Sequence, residues 1–134
     1  SCTGGQISKT VTDLAGVSAV FFGGVVSYAN EIKEKLLGVR HKTLEKYGAV
    51  SEQTAAEMAT GAVRALGADF SVAVTGIAGP DGGSEEKPVG LVYIACADKN
   101  GNVKVTKNLF SGDRKAVRDQ TTKTALQMLA DFVV

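Results

Sequence analysis

The stretch VAVTGIAGPDGGSEEKPVG, residues 72–90, divides the sequence into two differently organised halves. An alternating apolar run stops at Thr75, and the next apolar run begins only at Val89. Both prolines of the chain lie between these two positions, together with glycines at 76, 79, 82 and 83. Glycine permits tight turns and close approach of the backbone to a ligand, whereas proline restricts the backbone. We therefore predict a constrained loop that follows the carboxyl end of a strand, where α/β proteins place their binding sites.

Capping residues and hydrophobic periodicity predict four helices and two strands before this loop. The helices are expected at residues 7–14, 30–37, 42–47 and 52–66, and the strands at residues 20–28 and 70–74. The clearest helix begins after Ser51 and ends at Gly67, because apolar residues recur between them at helical spacing. Asn30 is expected to cap the second helix, since asparagine is a favoured N-cap residue.

The second half of the chain predicts a hairpin and one long helix. Residues 89–97 and 103–110 flank an Asn-Gly pair at positions 100–101, which is typical of a tight hairpin turn. A last helix is expected to begin at Ser111 or Asp113 and to end near residue 132. Helices that alternate with strands favour a sheet with helices on both of its faces. We expect one α/β domain over residues 1–134, with a mixed, largely parallel sheet.

The composition is that of an ordinary water-soluble globular domain, with 44% hydrophobic residues, 22% charged residues and a net charge of +1. This balance indicates neither a nucleic-acid partner nor a membrane partner. The longest uncharged stretch, residues 14–30, is too short and too rich in glycine and serine to span a bilayer. Two distant cysteines and the single histidine, His41, form no pattern typical of a disulfide scaffold or a metal site. With no recognisable secretory leader, we expect a cytoplasmic protein with free thiols.

Four segments carry polar residues at points where a strand gives way to a helix or to a long turn. They are SCTGG at 1–5, Ser18 together with YANEIK at 28–33, Thr75 with its loop, and SGDR at 111–114. Backbone amides at helix starts attract anions, and glycines let a ligand approach closely. Ser1, Thr3, Gly4 and Gly5 would therefore suit a phosphate group. Helix capping explains the same residues equally well.

Lys33 is a candidate base. If Asn30 caps the helix, Lys33 lies in the first turn, where the positive end of the helix dipole disfavours its charge and lowers its pKa. A lysine with a lowered pKa beside a serine hydroxyl can activate that hydroxyl as a nucleophile. In the alternative interpretation, Lys33 points to solvent and Glu31 offsets the dipole.

Arg114 and Cys2 each have two interpretations as well. Arg114 follows Ser-Gly-Asp in the first turn of the last helix, so its guanidinium could clamp a phosphate or carboxylate, or could pair with Asp113. Cys2 could act as a nucleophile if a helix N-terminus lowers its pKa. It could equally be a small buried residue.

Five motifs, in this order and at these intervals, resemble the CinA C-terminal domain family. They are SCTGG, GGVVSYANEIK, GAVSEQ, TGIAGPDGG with EKPVG, and SGDR. The resemblance spans essentially all 134 residues and implies a three-layer α/β/α domain. Members of this family are nicotinamide-nucleotide amidohydrolases. The resemblance therefore implies hydrolysis of the carboxamide of nicotinamide mononucleotide, giving nicotinate mononucleotide and ammonia, without a metal or cofactor.

The resemblance also implies roles for individual residues. The Ser–Lys chemistry proposed for the family maps onto Ser18 as nucleophile and Lys33 as base, with Tyr28 at the same corner. Ser1 is the main rival to Ser18 as the nucleophile, and Cys2 is a weaker one. The residues that match substrate-binding positions are Ser1, Thr3, Gly4, Asn30, Thr75, Gly76, Gly79 and Arg114. Residues 76–88 are expected to wrap the ligand.

Family members usually carry a helix and a strand before the SCTGG turn, so we expect the domain to lack these two elements. A missing central strand would leave an open sheet edge and a gap in the core. The edges of a small sheet and the resemblance lead us to expect a homodimer. A different class of function is also open: a non-catalytic nucleotide-binding or regulatory module associated with competence or DNA damage. Product formation separates that module from an enzyme.

Overall fold

A computed structural model describes residues 1–134 and contains a three-stranded sheet with five α-helices. The strands are β1 (Phe70–Gly76), β2 (Leu91–Asp98) and β3 (Val103–Leu109). The helices are α1 (Gln6–Thr12), α2 (Asn30–Leu37), α3 (His41–Tyr47), α4 (Glu52–Leu66) and α5 (Arg114–Val133), and Val17–Ala19 forms one 3₁₀ turn. The predicted helices are therefore all present, with ends that differ by up to three residues.

The sheet is wholly antiparallel, so the expectation of a largely parallel sheet was wrong. Its strand order is β1-β2-β3, with Phe70 opposite Asp98 and Leu91 opposite Leu109. The loop of residues 77–90 joins β1 directly to its neighbour β2, and a tight turn joins β2 to β3. Neither connection is the helical crossover that parallel neighbours require.

Residues 20–28 are extended but do not form the predicted strand. Their side chains alternate, with Phe22 and Val26 exposed while Val25 and Ser27 turn inward. The backbone N–H groups of residues 22–28 donate no backbone hydrogen bond. The β-branched and aromatic composition thus gave the right local conformation, but a strand also needs a neighbour with which to pair.

Two hydrophobic clusters cover the two faces of the sheet, because successive residues of a strand point to opposite sides. Val74, Ile94 and Cys96 pack with the α5 residues Val117, Ala125 and Met128. Ala73, Ala95 and Ala97 pack with Ala55, Met58 and Ala59 of α4 and with Leu37, Val39 and Leu44. The small alanines on the second face let α4 lie close to the sheet.

The predicted caps and the hairpin turn agree with the structure at three points. The Ser51 hydroxyl accepts the Thr54 N–H at the start of α4. The carboxylate of Asp113, rather than Ser111, caps α5 by accepting the Ala116 N–H. The hairpin turn contains Gly101, whose φ of 90° is accessible to glycine.

An apolar groove of about 650 Å³ runs along the free edge of β1. It is lined by residues 70–74 of β1, residues 19–27, and side chains of α1, α4 and α5. The Ser1 terminal nitrogen lies at this groove and donates a hydrogen bond of 2.6 Å to the Val74 carbonyl. The open edge of β1 therefore already accepts one bond from the start of the chain. None of the helices combines the length and apolarity needed to cross a membrane.

Candidate active site

Lys33 is buried, so the interpretation that it points to solvent was wrong. Only 2% of the residue is exposed. Its Nζ donates to the Ser27 carbonyl at 2.8 Å and to the Tyr28 carbonyl at 3.0 Å. The predicted cap was also wrong, because Ala29 is the N-cap residue and Asn30 is the first residue of α2. Residues 27–33 thus fold back on themselves, and the amine closes the corner.

Burial lowers the pKa of Lys33 from its ordinary value of 10.5, against a smaller opposing effect of Cys2. The predicted direction is confirmed, but its main cause is loss of solvation rather than the helix dipole. A neutral amine has two N–H groups and one lone pair. Since the two carbonyls accept the two N–H groups, the lone pair is left to accept a proton. The corner can therefore present Lys33 as a base.

The SCTGG turn is fastened to α5 by an arginine that the sequence analysis missed. Arg118 Nε donates to the Cys2 carbonyl at 3.2 Å, and its Nη2 donates to the Thr3 carbonyl at 2.8 Å. Thr3 is buried, whereas Gly4 is exposed directly beneath the Arg118 guanidinium. Arg118 lies four residues after Arg114, on the same face of α5. That spacing was the available signal for its role.

The structure brings Ser1, Cys2 and Lys33 close together, since their charges influence one another. Burial raises the pKa of the Cys2 thiol, and Cys2 packs in the core cluster next to Val74. A buried protonated thiol is a poor nucleophile. The geometry thus favours the structural interpretation of Cys2.

Arg114 bridges two parts of the site. Its Nη1 donates to the Gly79 carbonyl at 2.8 Å, and its Nη2 donates to the Tyr28 hydroxyl at 3.2 Å. Pairing with Asp113, the surface alternative, does not occur, because that carboxylate caps α5 instead. A guanidinium has five N–H donors, so donors remain for an anion.

The glycine-rich loop of residues 77–90 is anchored at its base and exposed at its tip. The Gly90 N–H donates to the Ile77 carbonyl at the base, and Lys87 Nζ donates to the Tyr47 carbonyl at 2.7 Å. Gly79 is buried with a φ of 82°, and a Cβ there would collide with Val89. The predicted position of the loop, directly after a strand, is confirmed.

Two substrate-binding candidates of the loop region have structural contacts of their own. The Thr75 hydroxyl is buried and donates to the Ala49 carbonyl at 2.8 Å. A Cβ at Gly76 would lie 2.7 Å from the Leu91 carbonyl oxygen, so this position must be small to allow strand pairing. Their roles toward a substrate stay predictions.

The side chains of Ser18 and Asn30 make no hydrogen bond with the Lys33 amine. Ser18 is exposed on the 3₁₀ turn, and its hydroxyl makes no hydrogen bond within the chain. The Asn30 side chain is exposed and forms no cap. Both residues flank the unpaired segment of residues 20–28. Their predicted roles are left open by this geometry.

Ser27 is a second residue that the sequence analysis missed. Its carbonyl holds Lys33, while its hydroxyl is buried without any hydrogen-bond partner. Ser27 also lines the apolar groove. The alternation of residues 20–28 placed it on the inward face, and that pattern was the signal. No group of three or more histidine, cysteine, aspartate or glutamate side chains is arranged to hold a metal ion.

Comparisons with known proteins extend these observations over the whole chain. The profile of the CinA C-terminal domain matches residues 1–133. The nicotinamide-nucleotide amidohydrolase PncC of Enterobacter agglomerans is 57% identical, over 99% of this chain and 82% of that protein. The PncC protein of Escherichia coli K12 is 55% identical, over 96% of this chain and 78% of that protein.

The fold has a close counterpart among solved structures. The crystal structure of competence/damage inducible protein CihA from Agrobacterium tumefaciens is similar with a TM-score of 0.98 and 50% identity. The alignment covers 100% of this chain and 82% of that one. Sequence motifs, profile and fold agree, and this chain belongs to the CinA C-terminal domain family.

Proposed function

We propose that this protein hydrolyses the carboxamide of nicotinamide mononucleotide, giving nicotinate mononucleotide and ammonia. The observation that carries the proposal is the buried Lys33 amine, whose two N–H groups are taken by the carbonyls of Ser27 and Tyr28. Burial lowers the pKa of this amine, so it is more readily deprotonated than an exposed lysine, as a base in amide hydrolysis through a serine requires. The names of the relatives at 55–57% identity support the same substrate class.

In the proposed mechanism the Ser18 hydroxyl attacks the carboxamide carbon while Lys33 accepts its proton. Lys33 then returns the proton to the departing nitrogen, and ammonia leaves an acyl-serine ester. Water attacks this ester, Lys33 again accepts a proton, and nicotinate mononucleotide is released as the serine recovers its hydrogen. Backbone N–H groups of a glycine turn would stabilise the oxyanion. The SCTGG turn and Arg114 would hold the ribose phosphate.

Ser1 competes with Ser18 for the role of nucleophile. Ser1 lies close enough to Lys33 for their charges to interact. No hydrogen bond joins Ser18 to Lys33, so the segment between them would have to move before the Ser18 hydroxyl could pass its proton to the amine. Ser18 is the first choice because it matches the proposed nucleophile position of the family motif.

We also infer a three-layer α/β/α arrangement in which the groove holds an additional strand that precedes Ser1. The free edge of β1, the unbonded backbone of residues 22–28 and the partnerless Ser27 hydroxyl support this strand. The Ser1 nitrogen already bonds the Val74 carbonyl, so the inferred strand would pair with the free edge of β1 and end at Ser1. The chain covers 82% of the Enterobacter agglomerans relative, so that relative has enough further residues to form such a strand.

We further propose that the protein is a cytoplasmic homodimer that acts on a small nucleotide and has no nucleic-acid or membrane partner. The apolar side chains of Phe22 and Val26, exposed on an extended segment, support self-association. The near-zero net charge supports the absence of nucleic-acid binding.

The proposal is tested by incubating the protein with nicotinamide mononucleotide and measuring both products. We expect nicotinate mononucleotide and ammonia in equal amounts. Ser18→Ala should abolish both, whereas Ser1→Ala and Cys2→Ala should retain turnover. Loss in Ser1→Ala with retention in Ser18→Ala would reassign the nucleophile. Binding of the nucleotide without products, by a folded chain, would favour the regulatory-module alternative.

A further inference from the structure

The Arg114 guanidinium sits between two elements that are distant in sequence and that both belong to the candidate site. It contacts the Gly79 carbonyl of the glycine-rich loop and the Tyr28 hydroxyl at the start of the corner, 86 residues away. Arg114 itself is the first residue of α5, which Asp113 caps. The guanidinium is thus carried by a fixed helix start and reaches two acceptors at once.

Tyr28 continues this connection to the base. Its hydroxyl accepts from Arg114, while its backbone carbonyl accepts from Lys33 Nζ at 3.0 Å. Lys33 has only one other acceptor, the Ser27 carbonyl. A displacement of Tyr28 would therefore change one of the two bonds that orient the amine.

Gly79 continues the connection to the loop. It is buried, while residues 80–86 beyond it are exposed. The second half of the loop has an anchor of its own, the bond from Lys87 to the Tyr47 carbonyl. In the first half, the Gly79 carbonyl is the group held by a side chain from outside the loop.

We propose that Arg114 is a positioning residue that couples the glycine-rich loop to the Tyr28–Lys33 corner. The loop conformation over the substrate and the orientation of the Lys33 amine then change together. This role rests on the proposed function and goes beyond the contact with a phosphate. It requires the planar fork of arginine, because the single ammonium group of lysine does not reproduce the geometry of two bonds to two separate acceptors.

The kinetic test compares Arg114→Lys and Arg114→Met with Lys115→Met. Lys115 is the matched control, since it is the adjacent exposed cation and pairs only with Asp119 on its own helix. We expect kcat to fall by about 10- to 100-fold in both Arg114 variants, as misplaced catalytic groups cause, and to be unchanged in Lys115→Met. If Arg114→Lys keeps the wild-type kcat, positive charge alone suffices and the positioning role is overturned.

A double-mutant cycle with Tyr28→Phe tests the coupling itself. Tyr28→Phe removes the hydroxyl that accepts from Arg114 but keeps the ring and the carbonyl. We expect the effects of Tyr28→Phe and Arg114→Met on kcat to be clearly less than multiplicative when combined. Multiplicative effects would show that the two residues act independently, and would overturn the proposal.

Amide hydrogen exchange without substrate separates this inference from the proposed function. Arg114→Met should accelerate exchange at the loop amides of Ser84 and Gly90, which bond within the loop. Lys115→Met should not. Faster exchange in a protein that forms no nicotinate mononucleotide would support the coupling while the proposed function fails. Unchanged exchange at both amides would overturn the coupling whatever the activity.

Discussion

At the scale of the residue, Lys33 is distinctive because a group that prefers water lies inside the protein. Its Nζ has two carbonyl partners and no carboxylate partner. Burying a charged amine without a counter-charge is costly, so the neutral form is favoured. Burial without a counter-charge opposes folding when Lys33 is protonated, and the same burial makes Lys33 useful as a base.

The pH dependence of activity follows from the lowered pKa of Lys33. The base acts only when deprotonated, so kcat/KM should rise with pH and level off below the ordinary lysine value of 10.5. Initial rates between about pH 5 and 10, with circular dichroism at each pH, measure this. A rate that declines as pH rises while the chain remains folded would contradict the role of Lys33.

The stability of the chain should change in the same direction. Because the folded pKa is below the unfolded one, the unfolded state holds more protons between these two values. The contribution of Lys33 to the free energy of unfolding should therefore increase as pH rises through that window. Urea titrations should show that the free energy of unfolding of the wild type rises through this pH window relative to that of Lys33→Met, which lacks the amine. Parallel pH profiles would indicate that the Lys33 pKa is not lowered.

The sequence could identify Lys33 as a candidate but not establish its burial. Its place in the first turn of a helix was readable, and so was the direction of the pKa shift. Burial depends on the chain folding back so that the carbonyls of Ser27 and Tyr28 face the amine. That is a tertiary property of residues 27–33, which spacing alone does not contain. The contacts of Arg118 escaped prediction for the same reason.

At the scale of the element, the loop of residues 77–90 has a conformation that only glycine readily adopts at several positions. Gly82 has a φ of 91° and Gly101, in the remote hairpin turn, has a φ of 90°. Neither position has a close neighbour that a Cβ would strike, since a Cβ at Gly82 would meet only Ile77, at 3.8 Å, and a Cβ at Gly101 would lie in open space. The two glycines therefore form a matched pair for testing the loop.

Gly82→Val should raise KM for the nucleotide, whereas Gly101→Val should not. Both substitutions force valine into a left-handed conformation, at a cost of about 1–3 kcal/mol each. Thermal unfolding should show similar losses of stability, and steady-state kinetics should show the difference in KM. Equal KM values in the two variants would mean that the tip of the loop does not contact the substrate.

Helices were more predictable than strand pairing in this chain. The spacing from Ala55 to Leu66 indicated α4 without any knowledge of its neighbours, and Ser51 marked its start. Residues 20–28 have strand composition but no pairing partner, and the parallel sheet expected from them is absent. Local preference specifies a helix almost completely, because its hydrogen bonds are internal. In a strand, local preference favours the extended backbone, but the hydrogen bonds depend on a neighbouring segment.

At the scale of the whole molecule, the groove beside β1 is a gap that borders both core clusters. The two core clusters on the two sides of the sheet both reach it, through Val74 on one face and Ala73 on the other. An apolar gap of this size weakens packing on both faces. The inferred strand before Ser1 would close it and give residues 22–28 a neighbour.

Ser27→Ala tests the inferred strand, because the buried hydroxyl has no partner in this chain. In residues 1–134 alone, Ser27→Ala should leave the free energy of unfolding unchanged or raise it. In a chain extended before Ser1 by the corresponding residues of a relative, it should lower that free energy by about 0.5–1.5 kcal/mol, as for a lost hydrogen bond. Equal changes in both backgrounds would contradict a strand that bonds Ser27.

The central claim, that a buried lysine makes this chain an amidohydrolase, is tested most directly by one paired measurement. The wild type and Lys33→Met are incubated with nicotinamide mononucleotide, and nicotinate mononucleotide is detected by mass spectrometry. We expect product from the wild type and a rate lower by at least about 10²-fold in Lys33→Met, which should keep the same circular dichroism spectrum. Turnover by Lys33→Met at the wild-type rate would remove Lys33 from the mechanism and contradict the account.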